Sequence, residues 1–270
     1  MTTLDNHTGL AVHGAHQSAI VPNGAPLLAP RSAAHPEALA PRPGAPGTEG
    51  PRDWLLWQLA DSSFPAGGFA HSGGLEAAWQ LGEIRSVEEL AAFIETSVRQ
   101  AGHGALPFLS EAFSNPTRFQ EVDRLCDVFL SNHVANRASR AQGQALLLAC
   151  ERAFALPAML ALRARALHDK LPGHLAPVFG VLTCYLGVDL ASALRLFLFL
   201  VLRGLTAGAV RLGIIGPMDG QWMQARLAPL AEQIKCRCEG LRAQDAAQTA
   251  PLLEILQGTQ DRLYSRLFQT

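Results

Sequence analysis

The sequence predicts an all-α fold: a compact multi-helix domain around a central apolar helix pair, preceded by a disordered Pro/Ala/Gly-rich N-terminal tail. Three observations lead there. Apolar residues recur at helical spacing through most of residues 53–270. No strand-turn-helix unit with period-two alternation is visible. Residues 1–52 hold 8 of the 17 prolines in a run of Ala, Gly, Ser and Thr with neither period, a composition that buries too little apolar surface to offset its ordering entropy. Two regions follow, a tail over 1–52 and a helical domain over 53–270.

Within the domain the elements announce themselves in order. Ser86 and Glu89 form a capping-box pair, followed by Val87, Leu90, Phe93, Ile94 and Val98 on one helical face. Asn115-Pro116 punctuates the chain before a helix carrying Phe119, Val122, Leu125, Val128 and Phe129. Asn136 precedes a further helical stretch through Phe154, and Leu156-Pro157 breaks it. Pro177 suits the first turn of the next helix and Gly187 its C-terminal cap, while Asp189 caps the run from Leu190 to Leu212. These two runs are the expected central pair. Gly213 to Gly220 carries turn chemistry, and two more helical stretches are expected around Trp222 to Cys236 and Ala243 to Leu256.

Composition narrows the function. The chain has 270 residues, 49% of them hydrophobic, with 22 basic against 23 acidic residues and a net charge of -1. Such a balance supplies no field for phosphate backbones, so nucleic acid is excluded as an expected partner. Five cysteines, of which only Cys236 and Cys238 sit close together, point to a reducing compartment. No Lys or Arg precedes Arg31 and no compact apolar region follows the start, so the expected location is cytoplasmic. Leu171 to Val188 contains Pro172, His174 and Pro177, and Leu196 to Leu202 is pinned between Arg195 and Arg203. Neither provides the roughly 20 clean apolar residues of a membrane span.

The segment from Asp61 to Glu76 is the densest irregular stretch, with four glycines and Pro65. Phosphate cradling would need a Lys and a Ser or Thr after the last Gly, where Leu75 stands instead. Acid-base chemistry at His71 with Glu76 or Asp61, as in a helical hydrolase or lyase, is an alternative with unspecific spacing. A purely structural reading has Ser72 or a glycine start a helix whose dipole Glu76 offsets. No metal pattern stands out: Cys236-Arg-Cys238 supplies at most two thiolates, read as exposed helix residues, and His7, His13, His16 and His35 lie in the tail. His133, His168 and His174 read as capping or surface residues.

Arg137 and Arg140 lie a helical turn apart, and Arg203 and Arg211 interrupt a strongly apolar region. Either they pair with internal carboxylates or they face a partner. At the end of the chain Leu263, Tyr264, Leu267 and Phe268 fall at helical spacing between arginines. That amphipathic segment is either docked on its own domain or kept for a partner.

Five blocks in order, Trp54 to Glu76, Ser139 to Leu148, His174 to Leu182, Ala209 to Gly213 and Leu263 to Phe268, together resemble the UreF family of urease accessory proteins. The resemblance implies a non-catalytic, all-helical scaffold for nickel insertion into apo-urease. It implies a homodimer that binds UreD (UreH in some systems) and recruits or regulates the GTPase UreG. No cofactor would be bound directly: nickel is handled by the complex and GTP by UreG. Carried residue by residue, the family's glycine-rich block falls on Pro65, Gly67, Gly68, Phe69, His71 and Ser72, with Glu76 just beyond. That surface is expected to engage UreG. Phe69 stands where the family often has Tyr, and so lacks a hydroxyl. Tyr264, Arg266, Leu267 and Phe268 match the terminal block, expected at the UreD interface.

Overall fold

The structure, a computed structural model, describes residues 49–270, with side chains from residue 53 onward. The remainder of the expected tail, with its four histidines, lies outside the described residues. In chain order the helices are α1 (Glu49–Ala60), α2 (Leu75–Gln80), α3 (Val87–Gly104), α4 (Leu106–Ser114), α5 (Phe119–Phe129) and α6 (His133–Phe154). Then come α7 (Pro157–His168), α8 (Leu175–Tyr185), α9 (Leu190–Arg211), α10 (Pro217–Cys238) and α11 (Pro251–Gly258). Short 3-10 turns join several of them, and no strand occurs among the described residues.

Capping chemistry sets most boundaries. Ser86 Oγ accepts the Glu89 N–H at 3.1 Å, while the Glu89 carboxylate reaches past the cap to the Arg85 N–H at 2.6 Å. Asp189 Oδ1 accepts the Ser192 N–H at 2.9 Å and opens α9. Helix α6 starts earlier than the sequence predicts. Asn132, rather than Asn136, is its cap, accepting from the Val134 and Ala135 amides at 3.0 and 3.3 Å. Asn136 instead turns its amide to Asp127 Oδ1 at 2.9 Å. Helix α10 also begins earlier, because Pro217 occupies its first turn, where a missing N–H costs nothing. The expected helix over 243–256 divides in two. Pro251 keeps Ala250 out of the helical region (φ -133°, ψ 72°), so Ala243–Asp245 is only a 3-10 turn and α11 starts at the proline.

The expected central pair, α8 and α9, carries the core, and each helix has its own principal neighbours: α8 lies against α4 and α6, α9 against α10 and α3. Helix α8 is buried from Ala176 through Thr183, as expected of a helix that is apolar all round. Gly180 allows its approach to α4, since a Cβ there would stand 2.3 Å from the Leu109 carbonyl oxygen. Leu194, Leu198 and Leu202 of α9 are almost fully buried, each contributing about 1.5–3 kcal/mol on leaving water. By length and composition alone α9 is apolar enough to cross a membrane, yet 56% of its apolar window is buried within the protein. An Arg195–Glu232 pair, two contacts of 2.8 Å, ties α9 to α10 and pulls the Glu232 carboxyl down to about 2.

Candidate functional site

Between α1 and α2 the chain cannot continue as a helix. Pro65 fixes the approach, Gly67 and Gly73 take positive φ, and Gly74 at φ 89° is the N-cap of α2. A Cβ on Gly74 would stand 3.2 Å from the Gln257 backbone nitrogen, so this glycine also lets α2 close on α11. The loop presents Pro65 and Phe69 outward, with Phe69 71% exposed. Ser72 and Glu76 are buried at its far end.

The C-terminal segment is laid across this loop. Ser72 N–H donates to the Thr270 main-chain oxygen at 2.6 Å, and Gln269 N–H donates to the Ala70 carbonyl at 2.9 Å, two main-chain hydrogen bonds that tie the tail to the loop. His71 Nδ1 meets Thr270 Oγ1 beside it. The Glu76 carboxylate is the anchor. Its oxygens accept the Leu267 N–H at 2.6 Å, the Phe268 N–H at 3.1 Å and the Gln260 amide at 2.7 Å, with Gln80 Nε2 at 3.5 Å. A carboxylate 1% exposed is thus held by N–H donors, and it makes no ion pair among the described residues.

Electrostatics around the seam comes from arginines on two other helices. Arg211 of α9 donates to the Phe69 carbonyl and covers the buried Phe268 ring at 4.4 Å. Arg137 of α6 grips Asp261 at 2.8 and 3.1 Å, and Asp261 also holds Arg266 at 3.2 Å. Arg137 and His133 keep the Asp261 carboxyl below its ordinary range. Burial, helped by the Arg137 charge, pushes the His71 imidazole below 6.5.

The two groups of residues that the sequence assigns to different partners are therefore one composite surface. Tyr264 stands wholly in solvent and Leu267 is about half exposed, while Phe268 is 4% exposed. The terminal residues do not form the amphipathic helix their spacing predicts. After the 3-10 turn Gln260–Arg262 the chain is irregular, because Glu76 captures the Leu267 and Phe268 amides that a helix would direct to its own carbonyls. His71 has Thr270, and neither Glu76 nor Asp61, as its hydrogen-bond partner. Asp61 Oδ1 accepts the Ser63 N–H at 2.6 Å on the exposed side of the loop.

Sequence reasoning missed a second polar centre. His174 is not a surface residue: it occupies the N-cap position of α8 with its ring fully buried. Its Nε2 lies 3.0 Å from Asp127 Oδ1 and its Nδ1 3.1 Å from Ser139 Oγ. Asp123, equally buried, accepts the Gly173 and His174 amides at 2.8 and 2.7 Å. Burial drives the Asp123 carboxyl up, and the Asn136 amide holds that of Asp127 down. Asp123 and Asp127, one turn apart on α5, were the available signal. Cys238, expected at the surface, is buried, while Cys236 is exposed. No group of three or more metal-ligating side chains occurs among the described residues.

Comparison with known proteins supplies the context. The UreF family model matches residues 84–228. The chain is 37% identical over 219 residues to urease accessory protein F of Arabidopsis thaliana, covering 80% of this chain and 91% of the relative. It is 36% identical over 221 residues to urease accessory protein F of Oryza sativa subsp. indica, covering 80% and 85%. A bacterial relative, urease accessory protein UreF of Bacillus sp. (strain TB-90), is 31% identical over 223 residues, covering 80% and 97%.

Proposed function

The chain belongs to the UreF family of urease accessory proteins, and from that accessory role we propose that it is a non-catalytic scaffold for nickel insertion into apo-urease. It works in the cytoplasm as a homodimer, binds UreD (UreH) through its C-terminal segment, and recruits or regulates the GTPase UreG through its glycine-rich loop. Nickel and GTP are handled by the assembly, with UreG holding the nucleotide.

The observation that carries this reading is the seam itself. Glu76 and the Ala70–Gln269 hydrogen bond join loop and tail into one surface. Phe69, Tyr264 and Leu267 project from it as unburied aromatic and apolar side chains, the residue types that dominate protein interfaces. The alternative of a hydrolase or lyase using His71 with Glu76 or Asp61 needs the imidazole within proton-transfer reach of one of those carboxylates. Glu76 is instead saturated by tail and glutamine donors, and Thr270 occupies His71.

The test is light scattering on size-exclusion eluates of the full chain, alone and co-expressed with UreD and UreG. The expected result is a dimer alone and a complex that takes up UreG only when this chain is present. Removing residues 263–270 should weaken UreD binding at least about tenfold, a loss of about 1.4 kcal/mol. Unchanged affinity would defeat the assignment of the tail, and the absence of any complex would defeat the scaffold.

A further inference from the structure

Behind the glycine-rich loop lies a cavity of about 470 Å³, within the range of about 300–1,000 Å³ typical of small-molecule sites. The walls are chiefly apolar, with Phe64, Leu146, Phe179, Phe197 and Leu205 among them.

The polar groups on the lining include glutamines, serines and His71, and its cations are two arginines. Arg203 and Arg211, two turns apart on α9, both face the cavity. Neither has a carboxylate within ion-pair distance among the described residues. Arg203 reaches the Ala60 carbonyl and the Phe199 ring, and Arg211 the Phe69 carbonyl and the Phe268 ring. A guanidinium has five N–H donors, so most of theirs stay uncommitted. The Ser72 hydroxyl, on a residue 2% exposed, lies in the same wall with no hydrogen-bond partner at all, an omission that native interiors rarely tolerate. Two carboxyl groups also line the cavity. Asp61 accepts from Ser63 and, beyond ion-pair distance, partly offsets the charge of Arg203, while burial pushes Glu254 toward its neutral form.

We propose that this cavity binds a small monocarboxylate with an unbranched apolar chain, its carboxylate directed to the arginine-bearing face of α9 and Ser72 Oγ, and its chain laid between α8 and α9. Apolar length gives affinity through area removed from water, and the arginines give selectivity for an anion over a neutral or cationic head. The cavity shares Phe69, His71, Ser72 and Phe268 with the loop–tail seam, so its occupant would lie directly beneath the surface proposed for partners.

Isothermal titration of the full chain with decanoate below its micellar concentration tests the proposal. The expected result is one site per chain, with decanol and decyltrimethylammonium at least about tenfold weaker, as loss of a charge-assisted contact requires, and with hexanoate weaker again for its lost methylenes. The Arg203→Gln/Arg211→Gln double variant should lose the preference for decanoate over decanol, and Ala138→Phe should block the chain. Equal binding of the three head groups by the unmodified protein, or no saturable binding of decanoate, overturns the proposal whether or not the variants fold.

Discussion

The neighbourhood of α8 and the loop–tail seam are both buried, but they are held in opposite ways. Around α8 many apolar side chains from α4, α5 and α6 share the load, and the polar network of His174, Asp123, Asp127 and Ser139 is sealed among them. At the seam a single carboxylate gathers the donors, and the segment it secures contributes one large buried side chain, Phe268. The first arrangement stabilises the whole domain; the second fixes one segment. The partner-binding role proposed for the seam would gain from the second design, because a segment of eight residues held this way can be released without unfolding the helices beneath.

The comparison is tested most severely in the core. Asp123→Ala removes the acceptor of two buried amides, those of Gly173 and His174, and each unsatisfied buried group costs about 1–3 kcal/mol. A global destabilisation of about 3 kcal/mol is expected, read as a lower urea midpoint with unchanged slope. A shift below about 0.5 kcal/mol would mean that the network is ornamental, and that the two regions differ less than their geometry implies.

A smaller and more local effect is expected at the seam. Glu76→Gln replaces a charged acceptor of four N–H donors by a neutral amide, and hydrogen bonds to charged groups are worth about 1.5–3 kcal/mol. Because the segment opens on its own, hydrogen exchange at the Leu267 and Phe268 amides should accelerate by about tenfold or more, while the urea midpoint stays close to that of the parent. Equal shifts in both measurements would show that tail and core unfold together, and the distinction between the regions would collapse.

These two regions also mark what a reader of the sequence can recover. The core is legible because its information is local: Leu90, Phe93 and Ile94, or Leu194 and Leu198, declare a buried face by spacing alone, and Ser86 and Asp189 name their own caps. The caps that failed show the limit of that logic. Asn132 and Asn136 are equivalent on paper, and only the presence of Asp127 and Leu130 beside Asn136 decides between them. The seam is less legible still. Glu76 and Leu267 are 191 positions apart, and the groups that Glu76 binds are backbone amides, which leave no mark in the residue types. Loop and tail residues were each singled out as candidates for partner contacts, but nothing in either segment says that they meet. His174 escaped for a related reason: a histidine before a helix is an ordinary surface residue unless two carboxylates on another helix close over it.

The smallest expected effect is a pH dependence confined to the seam. His71 is half-buried, its pKa lies below 6.5, and the charges acting on it include Arg137, with Arg211 bound to the same loop at Phe69. A histidine whose folded-state pKa is depressed binds more protons when its segment is released than when it is docked. Its contribution to docking is therefore complete above 6.5 and falls away as the pH drops through 6.5 toward the lower docked-state value. Protonation adds a third positive charge beside the two arginines and makes Nδ1 a donor, which Thr270 Oγ1 accommodates by accepting. The change in docking is therefore expected to be smaller than that caused by removing the Glu76 carboxylate, which accepts several donors of the segment at once. Exchange rates at Leu267, Phe268 and Gln269, corrected for the intrinsic dependence on pH, should rise modestly between pH 7 and pH 5.5, and His71→Gln should remove the trend. The α8 network supplies the internal control: His174 is caged by Asp127 and Ser139 inside the core, so its amide should report global stability and not follow the seam. A trend of the same size at both amides would assign the pH effect to the domain as a whole and remove His71 as its origin.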